Sequence, residues 1–292
     1  MCNDAGKQGV EMLSQTNTGS ANAAPASGAA GNAGNLGIEA ANINHYFEAP
    51  QTGRRVHALD NVSLSIPEGQ FVAIVGPSGC GKTTLANMIA GLVRQSSGSL
   101  LVGGTPINGS RPEFGYVFAR DTLLPWRTVR QNVEFVLAMC GFDRKARRDA
   151  ATDWLKRVGL SDFADAYRYQ LSQGMRQRVA IARTLAAKPR LILMDEPFAA
   201  LDAQTRLILQ NEFINLWQEA KATVVFITHD LTEAILMADR VILMTRRPGR
   251  IKVDMDIHLP RPRNLEADRF SPEFRVAYDK LSGMLREELD NL

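Results

Sequence analysis

The run Gly76-Pro77-Ser78-Gly79-Cys80-Gly81-Lys82-Thr83-Thr84 carries the spacing G-x-x-x-x-G-K-[ST], with the apolar stretch Gln70 to Val75 before it and an apolar-periodic stretch from Lys82 to about Leu92 after it. Glycines at these places let successive backbone N–H groups curl around phosphate oxygens, and a helix starting at Lys82 adds the positive end of its dipole. A lysine here reaches the β and γ phosphates of a nucleoside triphosphate, and the Thr83 hydroxyl is a Mg2+ ligand. A second run, Leu191-Ile-Leu-Met-Asp195-Glu196, ends a buried-strand pattern in two carboxylates. Asp195 is placed to hold the metal, and Glu196 to polarise an attacking water as general base. Open α/β sheets bind ligands at the carboxyl ends of their strands, where both motifs fall.

A third run, Leu171-Ser172-Gln173-Gly174-Met175-Arg176-Gln177-Arg178, begins its polar part 23 residues before Asp195. From the residues alone Ser172 is a helix N-cap. Together with the phosphate loop, Asp195-Glu196, Ala200-Leu201-Asp202 and His229, this run resembles the signature sequence of ABC-type ATPases, and the resemblance covers residues 38–255. It implies an α/β fold: a P-loop NTPase nucleotide-binding domain with a helical subdomain and a small antiparallel β subdomain. It implies ATP and Mg2+ as cofactors, and a head-to-tail homodimer in which Ser172 and Gly174 face the γ-phosphate held by the other subunit. Asp202 resembles the residue that crosses that interface, and His229 the switch histidine that contacts the γ-phosphate. Phe47, in Ile43-Asn-His-Tyr-Phe47, matches the aromatic that stacks on adenine; Tyr46 rivals it, because stacking needs only a flat π-face.

The chain departs from the family pattern at three places. Where the family has a glutamine that touches Mg2+ and the catalytic water, after Gly115-Tyr-Val-Phe118, this chain has Ala119. Ala119 can do neither, and Asp121 is the candidate substitute, or else a cap of the following turn. Gln173 stands where the signature's first glycine is usual, a replacement that suits the backbone only if φ there is negative. Ala199 keeps a small residue before Ala200-Leu201-Asp202. Cys80 is read as a small loop residue, with oxidation sensitivity as the alternative for a thiol at a helix N-terminus.

Thr122-Leu-Leu-Pro125-Trp126-Arg-Thr-Val129-Arg-Gln-Asn132-Val133 looks like the importer branch that handles nitrate, sulfonates, taurine and similar small anions. Glu196 to Arg206, Arg247-Pro-Gly-Arg-Ile251, Leu259-Pro-Arg-Pro-Arg263 and Ser271-Pro-Glu-Phe274 look the same way. The resemblance implies an ATP-hydrolysing peripheral subunit at the cytoplasmic face of the inner membrane. Its partners would be a second copy, separate transmembrane permease subunits and, indirectly, a substrate-binding protein. The segment 124–133 would lie beside the groove that receives a coupling helix of the permease; the competing reading makes Trp126 core of the helical insertion. A hydrolytically weak regulatory subunit is the alternative that Ala119 suggests.

These motifs need elements to position them. Gln70–Val75, Leu191–Met194 and Thr223–Thr228 read as fully buried strands, Val241–Thr245 as another, and Val62–Ile66 alternates as a half-buried one. Helical patterns fall at 129–140, 144–158, 172–187, 203–220 and 231–237, so buried strands alternate with helices, as in a mainly parallel α/β sheet. Residues 1–37 are low-complexity and predict a flexible tail. The ATPase domain is expected over 38–255 with a helical insertion at about 120–185. A Pro/Arg-rich linker and a short helix, Pro272 to Leu289, are expected over 256–292.

The 292 residues carry 34 basic and 31 acidic side chains, a net charge of +3, too balanced for a nucleic-acid or polybasic membrane partner. Hydrophobic residues make up 45% of the chain, which suits a sizeable core and excludes general disorder. Cys2, Cys80 and Cys140 have no paired spacing and predict neither a disulfide framework nor a metal motif. No stretch reaches the roughly 18 apolar residues of a spanning helix, and none reads as an export signal.

Overall fold

A computed structural model describes residues 36–48, 53 and 55–290. The tail expected over 1–37 lies outside the described residues except for Leu36 and Gly37, and Leu36 is already buried.

The chain opens with β1 (Ile38–Glu48), β2 (Arg55–Ile66) and β3 (Phe71–Val75), followed by α1 (Lys82–Ile89). Next come β4 (Ser97–Val102), β5 (Thr105–Pro106) and β6 (Phe114–Val117). A helical stretch then holds α2 (Val129–Met139), α3 (Arg144–Arg157) and α4 (Gln173–Ala186). The chain returns through β7 (Leu191–Asp195), α5 (Ala203–Ala220), β8 (Thr223–Ile227), α6 (Leu231–Met237) and β9 (Arg240–Met244). It closes with β10 (Ile251–Asp256), α7 (Leu265–Asp268) and α8 (Pro272–Asp290).

The central sheet has the order β10-β9-β3-β8-β7-β6, parallel throughout except for β10. Its inner strands read as unbroken apolar runs because both faces are covered. Val72 and Ile74 of β3 point to a core shared with α1 and the small sheet, while Phe71, Ala73 and Val75 point to a core built with α4, α5 and α6. Phe71 meets Phe213, Trp217 and Phe226 edge-on at 5.8, 5.4 and 6.0 Å. Such edge-to-face pairs each add about 0.5–1.5 kcal/mol beyond the area they bury.

The second sheet, β2-β1-β4-β5, is antiparallel, as the family resemblance implies. It covers α1, so that the phosphate loop and its helix are held between two sheets.

In the helical stretch, Thr128 and Gln131 form a reciprocal capping box at the start of α2. Buried Asn132 fixes the preceding turn by accepting from Leu124 N at 2.8 Å and donating to the carbonyls of Leu124, Arg127 and Thr128. That turn carries Trp126 outward. It is 70% exposed, so the reading of Trp126 as core of the insertion is corrected.

The stretch after Asp256 does not run as a linker. Ile257, Leu259, Arg263 and Leu265 are buried. The Arg263 guanidinium donates to the carbonyls of Ile235, Leu236 and Ala238, the unpaired end of α6, and Arg261 stacks 4.4 Å from the Trp217 ring. The helix that follows has 19 residues and adds Phe274 and Leu281 to the core.

Candidate functional site

β3 ends at Val75, and the next residues turn through Gly76, Gly79 and Gly81, at φ of +152°, +75° and +105°. Space also requires glycine at Gly76, where a Cβ would lie 2.8 Å from the Met244 carbonyl; at Gly81 the positive φ is the constraint, with a Cβ 3.2 Å from the Ala58 carbonyl. No side chain caps α1, so its first backbone N–H groups are left facing the loop's mouth. Lys82 is buried and donates from Nζ to Gly76 O at 2.7 Å and Pro77 O at 3.0 Å. The loop therefore holds its cation over its own backbone. Cys80 is fully buried, and burial pushes its thiol pKa up in spite of the Lys82 charge, which removes the oxidation-sensitive reading.

Thr83 Oγ1 donates to Asp195 Oδ2 at 2.9 Å, bringing the loop and the end of β7 together. Burial lifts the Asp195 carboxyl above the ordinary carboxylate range; the Thr83 hydrogen bond and Lys82 oppose this, and Glu196 adds to it. Glu196 adopts a left-handed backbone, φ +47°, with its N–H on Ile227 O at 2.9 Å. A non-glycine residue held there is strained, the kind of cost that clusters at functional sites. Its Oε1 lies 3.4 Å from His229 Nδ1, so the ends of β7 and β8 bring those two side chains face to face.

A cavity of about 240 Å³ is lined by Phe47, Val56 and Ala58, by Ser78, Gly79, Gly81, Lys82, Thr83 and Thr84, and by Glu196 and Arg247. Phe47 is 44% exposed at its wall, with its ring edge-on to His45 at 4.5 Å. Tyr46 points to the other side of β1, stacked on His57 at 4.2 Å. Of the two aromatics, Phe47 is the one that lines the cavity.

Ser172, Gly174 and Asp202 are not among the residues lining this cavity. Ser172 is the N-cap of α4, accepting from Met175 N at 3.2 Å. Gly174 sits against the loop after Glu196, where a Cβ would meet Leu201 Cδ2 at 3.4 Å. Asp202 caps α5 by accepting from Thr205 N, which also holds its carboxyl below the usual range. Gln173 is the first residue of α4 and is not among the positive-φ residues, so glutamine fits the backbone there.

Asp121 does not face the cavity. Its nearly buried carboxylate lies between Arg168 Nε, at 2.7 Å, and Arg176 Nε, at 3.3 Å. The expectation that Asp121 replaces the missing glutamine is therefore corrected: two arginines hold it. Ala119 itself is exposed. The motifs did not mark Arg247 as a cavity residue, because nothing in the order Arg-Pro-Gly shows where the loop folds back.

The ABC transporter family model matches residues 59–199. An uncharacterized ABC transporter ATP-binding protein of Methanocaldococcus jannaschii is 50% identical over 252 residues, 86% of this chain and 92% of the relative. This chain belongs to the ABC transporter ATP-binding family. The cassette is also 43% identical over 256 residues to the nitrate import ATP-binding protein NrtD of Synechocystis, covering 85% of this chain and 95% of that one. A solved dimeric ATP-binding cassette, in a post-hydrolysis state bound to ADP and Pi, superposes with a TM-score of 0.69 at 32% identity, over 76% of this chain and all of that one. The fold read from the motifs, a P-loop ABC cassette, is thus the fold observed.

The residues present fit Mg2+ and a triphosphate. Among the described residues no group of three or more His, Cys, Asp or Glu is placed to hold a metal by itself. Mg2+ asks for less, one or two protein oxygens completed by phosphates and water, and Thr83 Oγ1 with Asp195 Oδ2 is such a pair.

Proposed function

We propose that this cassette is the ATP-hydrolysing subunit of an ABC importer that energises uptake of a small anionic solute of the nitrate, sulfonate and taurine kind. The observation that carries the ATPase reading is the convergence on one cavity of Phe47, the glycine loop with Lys82 and Thr83, and Glu196, with Asp195 hydrogen-bonded to Thr83. The solute class rests on likeness to a nitrate import subunit and on the segments quoted from 122–133, 196–206 and 247–274.

In this reading Phe47 stacks on adenine, and the backbone N–H groups of the loop 76–84, all but Pro77, which has none, hold the phosphates. Lys82 leaves its loop carbonyls for the β and γ oxygens. Thr83 and Asp195 hold Mg2+, which when bound neutralises charge on the transferred phosphoryl group. Glu196 takes a proton from the attacking water, and His229, 3.4 Å from it, orients the carboxylate and reaches the γ-phosphate. Ser172, Gly174 and Asp202 act on the nucleotide of a second copy across a head-to-tail homodimer, which accounts for their position away from this chain's own cavity.

The ATPase unit runs over 38–255 with its helical insertion at about 120–185. The permease subunits dock on that insertion. Exposed Trp126 stands near the start of α2, and a separate cavity of about 540 Å³ is lined by Phe114, Tyr116, Phe118, Phe135 and Met139. An apolar surface of this size is suited to a coupling helix. No described helix is long and apolar enough to cross a membrane; in this reading the subunit sits peripherally at the cytoplasmic face, held there by the permease.

The test is Mg-dependent ATP turnover of the wild type beside Glu196→Gln, with the mass of each recorded in ATP. Turnover by the wild type, with a silent variant that accumulates as an ATP-loaded dimer, is the expected result. A wild type that neither binds ATP nor turns it over, alone or with its permease, overturns the reading.

A further inference from the structure

Three arginines lie in the loop from Thr245 to Arg250 that joins β9 to β10, and two of them are committed. The Arg250 guanidinium pairs with Asp60, Nε to Oδ2 at 2.7 Å, and Arg246 is held beside Glu288, whose Oε2 accepts from its backbone N–H at 3.1 Å and whose carboxylate its charge helps keep ionised. Arg247 lines the cavity of the glycine loop, and among the described residues its guanidinium has no hydrogen-bond or ion-pair partner.

The loop that carries Arg247 is fixed from several sides. Thr245 Oγ1 accepts from Arg250 N at 3.0 Å and lies 3.2 Å from the Pro248 carbonyl. Gly249 N donates to Ala58 O at 2.9 Å, and Gly249 O accepts from Asp60 N at 3.0 Å. Gly249 also packs so closely on the glycine loop that a Cβ there would lie 2.0 Å from the Cys80 carbonyl. A long cation, unpaired among the described residues, is thus mounted on a backbone packed against the phosphate loop and lines the same cavity as the uncapped start of α1.

Chemistry narrows what such a group can take. A guanidinium stays charged at any working pH and presents a planar fork of donors that matches phosphate oxygens two at a time. Lys82 and Arg247 are the two cations among the lining residues, against one carboxylate, Glu196. A polyphosphate bearing several negative charges complements that surplus.

We infer that Arg247 is a nucleotide-binding residue that places its guanidinium on the phosphate oxygens of the bound nucleotide, from an element outside the loop motif. This rests on the reading of the cavity as the ATP site, and it adds a specificity: Arg247 favours the phosphorylated nucleotide over the bare nucleoside.

The experiment measures dissociation constants of the full-length wild type, Arg247→Ala, Arg247→Gln and Arg247→Lys for MgATP, MgADP and adenosine, by competition against a fluorescent ATP analogue. Loss of a charge-assisted bond predicts ATP and ADP binding about tenfold weaker in Arg247→Ala and Arg247→Gln, with adenosine changed less than about twofold. Arg247→Lys, which keeps the charge without the fork, recovers part of the loss. Melting curves superposing on the wild type certify the fold, and Arg247→Gln keeps the stem should the alanine variant fail to fold. ATP affinity within twofold of the wild type in both variants overturns the inference, as does an equal loss for adenosine, which would make the loop a wall and not a ligand. A wild type that binds no nucleotide would instead overturn the reading of the cavity itself.

Discussion

Asp121 Oδ1 and Arg168 Nε lie 2.7 Å apart, joining the segment after β6 to the turn that leads into α4. The other carboxylate oxygen faces Arg176 in the first turn of α4, and Gln177 of that helix donates to Phe118 O at 3.0 Å. Residues 118–122 are therefore bolted to the helix that begins with Ser172. Asp121→Ala leaves two partly buried arginines without their counter-charge, a cost of about 1–3 kcal/mol. The expected outcome is a fall in Tm of about 2–4 °C per kcal/mol lost, read in a thermal melt, with the affinity for ATP unchanged.

Ala119 is exposed, and its nearest carboxylate in sequence is held elsewhere, so nothing in this segment supplies an amide to the catalytic water. Ala119→Gln should raise Mg-dependent turnover severalfold without changing ATP affinity. Steady-state kinetics decides it: kcat moves and KM does not. An unchanged kcat means that another group already does the work.

Phe47 and Tyr46 are neighbours in β1 on opposite sides of the strand, and only Phe47 lines the cavity. Base–aromatic stacking contributes about 1–3 kcal/mol per base. Phe47→Ala is accordingly expected to weaken ATP binding by roughly 5- to 150-fold, and Tyr46→Ala by less than about twofold. A titration of both variants that gives the reverse order would reassign the adenine platform.

Asp195 carries a carboxyl whose pKa burial raises on folding. The native chain then holds that proton more tightly than the unfolded chain does, so stability falls as pH rises through the window just above the ordinary carboxylate value. Asp195→Asn removes this term. Melting experiments should find the variant more stable than the wild type at neutral pH, with the gap closing as the pH is taken into the acid range. ATP turnover should be lost in the same variant. Asp195, the proposed metal ligand, is in this sense a standing cost to the fold.

The parts of the fold that were legible in the sequence are those where one physical rule acts alone. β3, β7 and β8 are buried on both faces, so they appear as apolar runs, and the loops they feed show their glycines and carboxylates at fixed spacing. β1 was missed as a strand in the chain pattern because its alternation is broken. Asn42 and, across the ladder, Asn61 sit at φ +52° and +49°, where the register slips. The segment Leu259 to Arg263 misled for a different reason. Its prolines and arginines suggest a solvated linker, yet the arginines serve the carbonyls at the end of α6 and a tryptophan face. Composition does not show that a charged side chain has a buried backbone acceptor waiting. Arg247 was invisible as a cavity residue for the same reason: its place depends on Gly249 packing against Cys80, a contact spanning 169 residues.

The position of β3 has a consequence for how the protein is made. Its two sheet neighbours are β8 and β9, which lie 148 to 173 residues downstream in sequence, counted from Val75 to Thr223 and from Phe71 to Met244. A chain leaving the ribosome exposes the phosphate-loop strand long before either edge partner exists. At about 5–20 residues per second, the gap between β3 and β9 lasts roughly ten to thirty seconds. Until β8 is made, near the end of that interval, an entirely apolar strand has both edges open. The nascent chain is therefore most vulnerable to misassociation at its earliest motif, and a translational pause before residue 223 would prolong that exposure.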